Sequence, residues 1–205
     1  MRKYKQAGVY PNWVGHRDTH ELSGEQLMPE QTHHTRRGSD LLGMPVYSIT
    51  EGKKLGEITT LLVRREDSTV AAVRVGNAIA QGVALSYGLL RLVGIDIILV
   101  DSEAVMGQSL PIETVSALDD AVTGRAVLTV KGDQVGTISG FLVETQTGHI
   151  TAYRVLPEAG IMTRIARLVQ HDTLEVPIAQ VQALGANALI VLDNLTVQAD
   201  AGAVA

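Results

Sequence analysis

The feature that most constrains this chain is that it is written twice. One stretch reads Gly43-Met-Pro-Val46, Gly52, Leu55-Gly56-Glu-Ile58, Leu61-Leu62-Val63 and Val70-Ala-Ala-Val73-Arg74-Val75. A second reads Gly124-Arg-Ala-Val127, Gly132, Val135-Gly136-Thr-Ile138, Phe141-Leu142-Val143 and Ile150-Thr-Ala-Tyr153-Arg154-Val155. One single-residue gap near Glu51 keeps them in register. The copies also close alike, with Gly94-Ile-Asp-Ile-Ile-Leu-Val100 matching Gly185-Ala-Asn-Ala-Leu-Ile-Val191. A repeat of this length implies two similar units rather than one large fold.

Each unit reads as β structure. Val127-Leu-Thr-Val130 is a short β-rich run ended by the turn Lys131-Gly132-Asp133, and Thr147-Gly148 marks the next turn. The first copy has turns at Glu51-Gly52 and Glu66-Asp67-Ser68. Between turns, Ile138 and Leu142 are expected on one side of their strand, and Arg154 on the Ile150 and Ala152 side, opposite Tyr153 and Val155. Gly52 and Gly132 suit positive φ in hairpin turns, whereas Gly56 and Gly136, inside strand patterns, point to a bulge or sharp bend. Short strands at close, regular spacing predict a barrel or sandwich. Aromatic residues make up only 3% of the chain, so the core is aliphatic.

The copies differ in one connection. The second carries about eleven extra residues between Val155 and Val176. Ile161, Ile165 and Leu168 there fall at helical spacing, flanked by Arg164 and Arg167, which predicts a short amphipathic helix plugging a barrel end. Its alternative role is docking to a partner or an anionic membrane.

Charge and composition exclude several function classes. A formal charge of −5 counts against direct nucleic-acid binding. The absence of cysteine removes disulfides, thiolate nucleophiles and cysteine-based metal sites, and fits a reducing cytoplasm. No signal peptide is visible, because the basic start (Arg2, Lys3, Lys5) lacks a following apolar core. The most apolar stretch, Ala78 to Val100, is interrupted by Arg91 and Asp96, so no transmembrane helix is expected. Phosphate-binding glycine motifs and the Gly-x-Ser-x-Gly elbow are missing.

Ser39-Asp-Leu-Leu-Gly43-Met-Pro-Val-Tyr47, followed by Gly52-Lys-Lys-Leu-Gly56-Glu-Ile58, resembles the opening of a PRC-barrel domain. Val176-Pro-Ile178 through Val181, then Gly185 and Ala188-Leu-Ile-Val191, resembles its closing segment. The resemblance covers about residues 39–101 and 119–195. It implies small, strongly bent β-barrels of the kind found in the cytoplasmic part of the photosynthetic reaction-centre H subunit and at the C-terminus of a ribosome-maturation factor. Their shared theme is binding another macromolecule. This chain departs from both, since residues 1–38 are not a membrane helix and the module is duplicated rather than joined to a different barrel.

The expected fold is therefore all-β: two tandem PRC-type barrels at 39–110 and 111–198, short helical insertions, a polar, flexible N-terminal extension (1–38) and a frayed tail (199–205). That extension holds His16, His20, His33 and His34, but nothing fixes a metal geometry there. His149 and His171 read as surface positions. No catalytic residue, metal site or cofactor is expected, and the chain reads as non-enzymatic. Candidate partner contacts are Tyr10 and Trp13 in the extension, Arg74 and Arg154 at matching strand positions, and Arg164 and Arg167 in the insertion. The two strand arginines each need a counter-charge or solvent, and a salt bridge at a barrel mouth or between barrels is the structural expectation. The functional expectation is a cytoplasmic adaptor or assembly protein, free or peripheral at a membrane, docking on a larger protein complex and open to self-association. The alternatives are an RNA-processing or ribosome-maturation accessory factor and a small-molecule or metal sensor.

Overall fold

The computed structural model describes residues 35–76, 82–158, 173–193 and 195. The candidates Tyr10, Trp13, Arg164 and Arg167 lie outside these residues, as do the predicted insertion helix, His171 and the C-terminal tail.

The described chain is mostly strand. Glycine and polar turn residues break it into short runs, and each copy places its strands in the same order. The first sheet is built from β2 (Pro45–Ser48), β3 (Lys54–Arg64), β4 (Thr69–Gly76), β5 (Val83–Ser86), β6 (Leu90–Val93) and β7 (Ile98–Val100). The second is built from β8 (Ala126–Thr129), β9 (Gln134–Glu144), β10 (Ile150–Pro157), β11 (Leu174–Pro177), β12 (Val181–Leu184) and β13 (Ala188–Val191). Their spatial orders are β5-β4-β3-β2-β7-β6 and β11-β10-β9-β8-β13-β12. Each is antiparallel except at one parallel pair, β2 with β7 and β8 with β13. These are two barrel-like units of one topology, as the repeat implies.

Glycine at two repeat positions is a packing requirement. A Cβ on Gly56 would stand 2.8 Å from the Gly76 carbonyl oxygen, and one on Gly136 2.0 Å from that of Leu156. The neighbouring strand crosses too close for any side chain, and register shifts follow at Val46/Tyr47 and Val127/Leu128. Gly52 and Gly132 adopt positive φ of 62° and 92° in the first turns.

Further bulges overturn two expectations about faces. Between Arg154 and Val155 the β9–β10 register shifts, so Gly140 and Ile138 become successive partners. The inward phase therefore moves from Ile138 to Phe141 and Val143 in the core, and Leu142 does not share a side with Ile138. A second shift, between Ile150 and Ala152, sends Ile150 into the core with Tyr153 and Val155, away from Arg154. An inserted residue inverts a period-two pattern beyond it, which strict alternation cannot anticipate.

One hydrophobic cluster runs through both units, from Leu41, Val46 and Ile58 to Tyr153, Leu189 and Val191. A smaller cluster forms on the outer face of the first sheet. There Leu62, Ala72 and Ala84 are covered by Leu110, Val115 and Leu118. These covering residues flank or belong to the short helix α2 (Ile112–Ser116), which follows the short helix α1 (Gly38–Leu41) in chain order.

The two units are fastened by reciprocal pairing. The eleven-residue strands β3 and β9 are each matched along one edge by only a four-residue partner. The vacant remainder of each edge takes up the lead-in of the other unit. Strand β1 (Thr35–Arg37), inside the stretch read as N-terminal extension, pairs with β9 as Arg36 to Val143. Asp119, ahead of the second unit, pairs with Val63 of β3. Filling exposed edges in this way also hides groups that would otherwise template association.

Candidate functional site

Three places on the described chain bring together side chains capable of recognition: the seam between the units, a groove on the first sheet, and an apolar tip.

The seam is built from the hairpin turns that follow β3 and β9. Val70 N–H donates to the Gly148 carbonyl at 2.8 Å, and Ile150 N–H to that of Ser68 at 2.9 Å. Ser68 and Gly148 hold equivalent places, both left-handed, at φ 49° and 78°. A tyrosine meets each of them. The Tyr153 hydroxyl donates to Ser68 Oγ at 3.2 Å, while the Tyr87 ring lies against Gly148 and its hydroxyl donates to the Thr145 carbonyl at 3.0 Å. Both phenols are buried, and burial is the main cause raising both pKa values, that of Tyr87 to about 12 with Glu144 adding to it. Asp119 forms a close ion pair with Arg125, whose other terminal nitrogen donates to the Gly185 carbonyl at 2.8 Å. In the first unit Met44 stands where Arg125 would. Arg36, arriving on β1, takes over its task and donates to the Gly94 and Ile95 carbonyls at 2.5 and 2.7 Å. The seam groups named here are all partnered inside the chain, which gives this part of the seam a structural role.

The groove lies beside Arg74, between the outer face of the first sheet and α2. It measures about 580 Å³ and is lined by Leu62, Val83, Ala84, Leu110, Ser109 and Asp120 among others. Arg74 stands across from Ala84 on β5, and the equivalent Arg154 stands across from Glu175 on β11. Thr59 and Ser139 each donate to the backbone carbonyl of their arginine, at 3.4 and 3.2 Å. The Arg74 guanidinium has no hydrogen-bond or ion-pair partner among the described residues. Matching in sequence, the two arginines lie on different sheets and do not form a joint site.

The tip is the β6–β7 turn. Leu92, Ile95 and Ile97 are 52%, 82% and 39% exposed. Their equivalents on β12, the turn after it and β13 are Ala183, Ala186 and Ala188. Large aliphatic side chains therefore face water in one copy where the other has methyl groups. No single motif marks this patch, which shows in the sequence only as a difference between the two copies.

Residues 33–106 match the PRC-barrel domain. The PRC-barrel domain so delimited takes in β1, the whole first sheet, the Arg74 strand and the apolar tip. No curated protein matches the chain. PRC-barrel domains are generally non-catalytic and suggest at most a role in protein interaction or assembly. No group of three or more histidine, aspartate or glutamate residues placed to hold a metal occurs among the described residues. His149 is exposed, at the seam bridge with Thr69. No helix of the described residues is long and apolar enough to cross a membrane.

Proposed function

We propose that the chain is a non-enzymatic adaptor or assembly protein, built from two PRC-type barrels, that docks on a larger protein complex. The observation that carries this reading is the asymmetry of the β6–β7 turn. Three exposed aliphatic side chains cost solubility and add nothing to the core, yet Arg36 holds their turn in place through two carbonyls. A rigid apolar tip of this kind is suited to filling a pocket on a partner. The interlocked second unit gives that tip a fixed base.

The test is affinity recovery of the tagged chain from cells that make it, with and without ribonuclease, beside the triple variant L92A/I95A/I97A. The adaptor reading expects a defined protein complex that survives nuclease and is lost with the triple variant. Ribosomal proteins lost on nuclease treatment would move the reading to RNA processing. Recovery of the chain alone, or turnover of a metabolite by the pure protein, would overturn it.

A further inference from the structure

The two copies place an arginine at one strand position and surround it differently. In the second, Glu175 is its cross-strand partner and is 9% exposed, and directly opposed charges on one face of an antiparallel pair attract. In the first, Ala84 occupies that place, and a groove of about 580 Å³ opens beside Arg74 instead. We propose that this groove binds a carboxylate carried on a short aliphatic stem, the kind of group that stands across from the equivalent arginine in the other barrel.

The surroundings fit that ligand. Arg74 is half-buried on a strand whose neighbours on that face include the apolar Leu62, Ala72 and Ala84, with Thr60 across from it on β3. A guanidinium there is screened less than one in open water, and its planar donors match a carboxylate in a two-point contact. Leu62, Val83 and Leu110 give the wall that a run of methylene groups would cover, and Ser109 lies within the same groove. The carboxylate already present, Asp120, is exposed and forms no ion pair with Arg74 among the described residues. It opposes an incoming anion without occupying the arginine. Two sources carry the required chemistry: a free short-chain acid and a glutamate side chain on a partner peptide. The inference does not depend on the adaptor reading, because a free acid would satisfy it.

The test titrates the full chain with glutarate, with a blocked tripeptide containing a central glutamate, and with glutaramide as the uncharged control, followed by NMR shifts or calorimetry. Glutarate or the peptide should bind and glutaramide should not. Binding should weaken about tenfold or more in R74Q, as expected for loss of a charge-assisted hydrogen bond. It should tighten in D120N. A84E writes the second barrel's carboxylate into the first and should abolish binding while leaving the melting temperature unchanged or higher. Should A84E fail to fold, R74Q and D120N still decide the matter. Binding of both acids assigns a free-acid site, and binding of the peptide alone assigns a partner's side chain. No binding by either acid, or equal binding by R74Q, overturns the proposal.

Discussion

Replacing Tyr153 by phenylalanine, alone and together with Ser68→Gly, isolates a hydrogen bond between two side chains that joins the two units through their buried turns. The bond spans 3.2 Å, between a tyrosine that is 0% exposed and a serine that is 7% exposed. Y153F leaves the Ser68 hydroxyl buried without its donor, a loss of about 1–2 kcal/mol. S68G orphans the phenol at a similar cost. It also relieves a left-handed serine by about 1 kcal/mol and adds unfolded-chain entropy worth about 0.5–1 kcal/mol, two effects that roughly cancel. Gly148 already holds the equivalent position at φ 78°, so the turn accepts glycine without rebuilding. With both partners gone no polar atom is stranded, and the double variant should be about as stable as the parent. The cycle should therefore return a coupling of about 2–4 kcal/mol, the two stranding costs together, in which the backbone effects of glycine cancel. Urea unfolding followed by circular dichroism, extrapolated linearly to water, measures all four proteins. A coupling below about 0.3 kcal/mol would refute the reasoning and reduce the contact to proximity.

The alkaline limb of stability should be steep. Tyr87 has its pKa raised from 10.0 to about 12 in the fold, so its contribution is complete below about pH 10 and is lost as pH rises through 12, by about 2–3 kcal/mol. Unfolding at successive alkaline pH values, with phenolate absorbance read in parallel, checks that its ionisation coincides with unfolding. Alanine at the glycines should rank by surroundings: G43A, where φ is 79° and no atom lies within 4 Å, costs about 1–2 kcal/mol. G148A adds displacement of the Tyr87 ring, 2.9 Å from the new methyl, and G136A meets the Leu156 carbonyl oxygen at 2.0 Å and should cost about 3 kcal/mol or more. Thermal melts of the three variants should fall in that order. D119A strands the largely buried Arg125 and should cost about 2–3 kcal/mol in urea unfolding, whereas K53A, which breaks the exposed pair with Glu103, should leave the transition where it was.

The repeat disclosed the topology because its signals are local and sit on the residues that fold requires. Gly56 and Gly136 recur because a neighbouring strand leaves no room for a Cβ, and Gly52 and Gly132 because the turn needs positive φ. The faces of the strands were less legible. Alternation placed Ile138 with Leu142 and Arg154 with Ile150, and one inserted residue at each bulge reversed the phase. Least visible was the exchange of lead-in segments. Arg36 and Asp119 carry no motif, and their partners at Val143 and Val63 are set by the unequal lengths of strands that pair elsewhere. The groove and the tip were written in the sequence only as differences between copies, Ala84 against Glu175 and Leu92, Ile95 and Ile97 against three alanines.

Those differences run in one direction. At the strand arginine the second barrel sets a glutamate across from it and the first an alanine, leaving an open groove. At the closing turn the second barrel ends in alanines and the first in exposed leucine and isoleucine. The positions that close the barrels, by contrast, match in both: the crossing glycines, the parallel pair of short strands, and a carbonyl capped by an arginine. A duplicated module under equal demand for stability would drift at its surface without preference. Among the described residues, the open arginine groove and the exposed aliphatic turn both fall on the first barrel, and the exchanged lead-ins hold that barrel against its twin. Removing Leu92, Ile95 and Ile97 should therefore leave unfolding unchanged, whereas removing Asp119 from the brace should lower stability while leaving the chemistry of the tip intact.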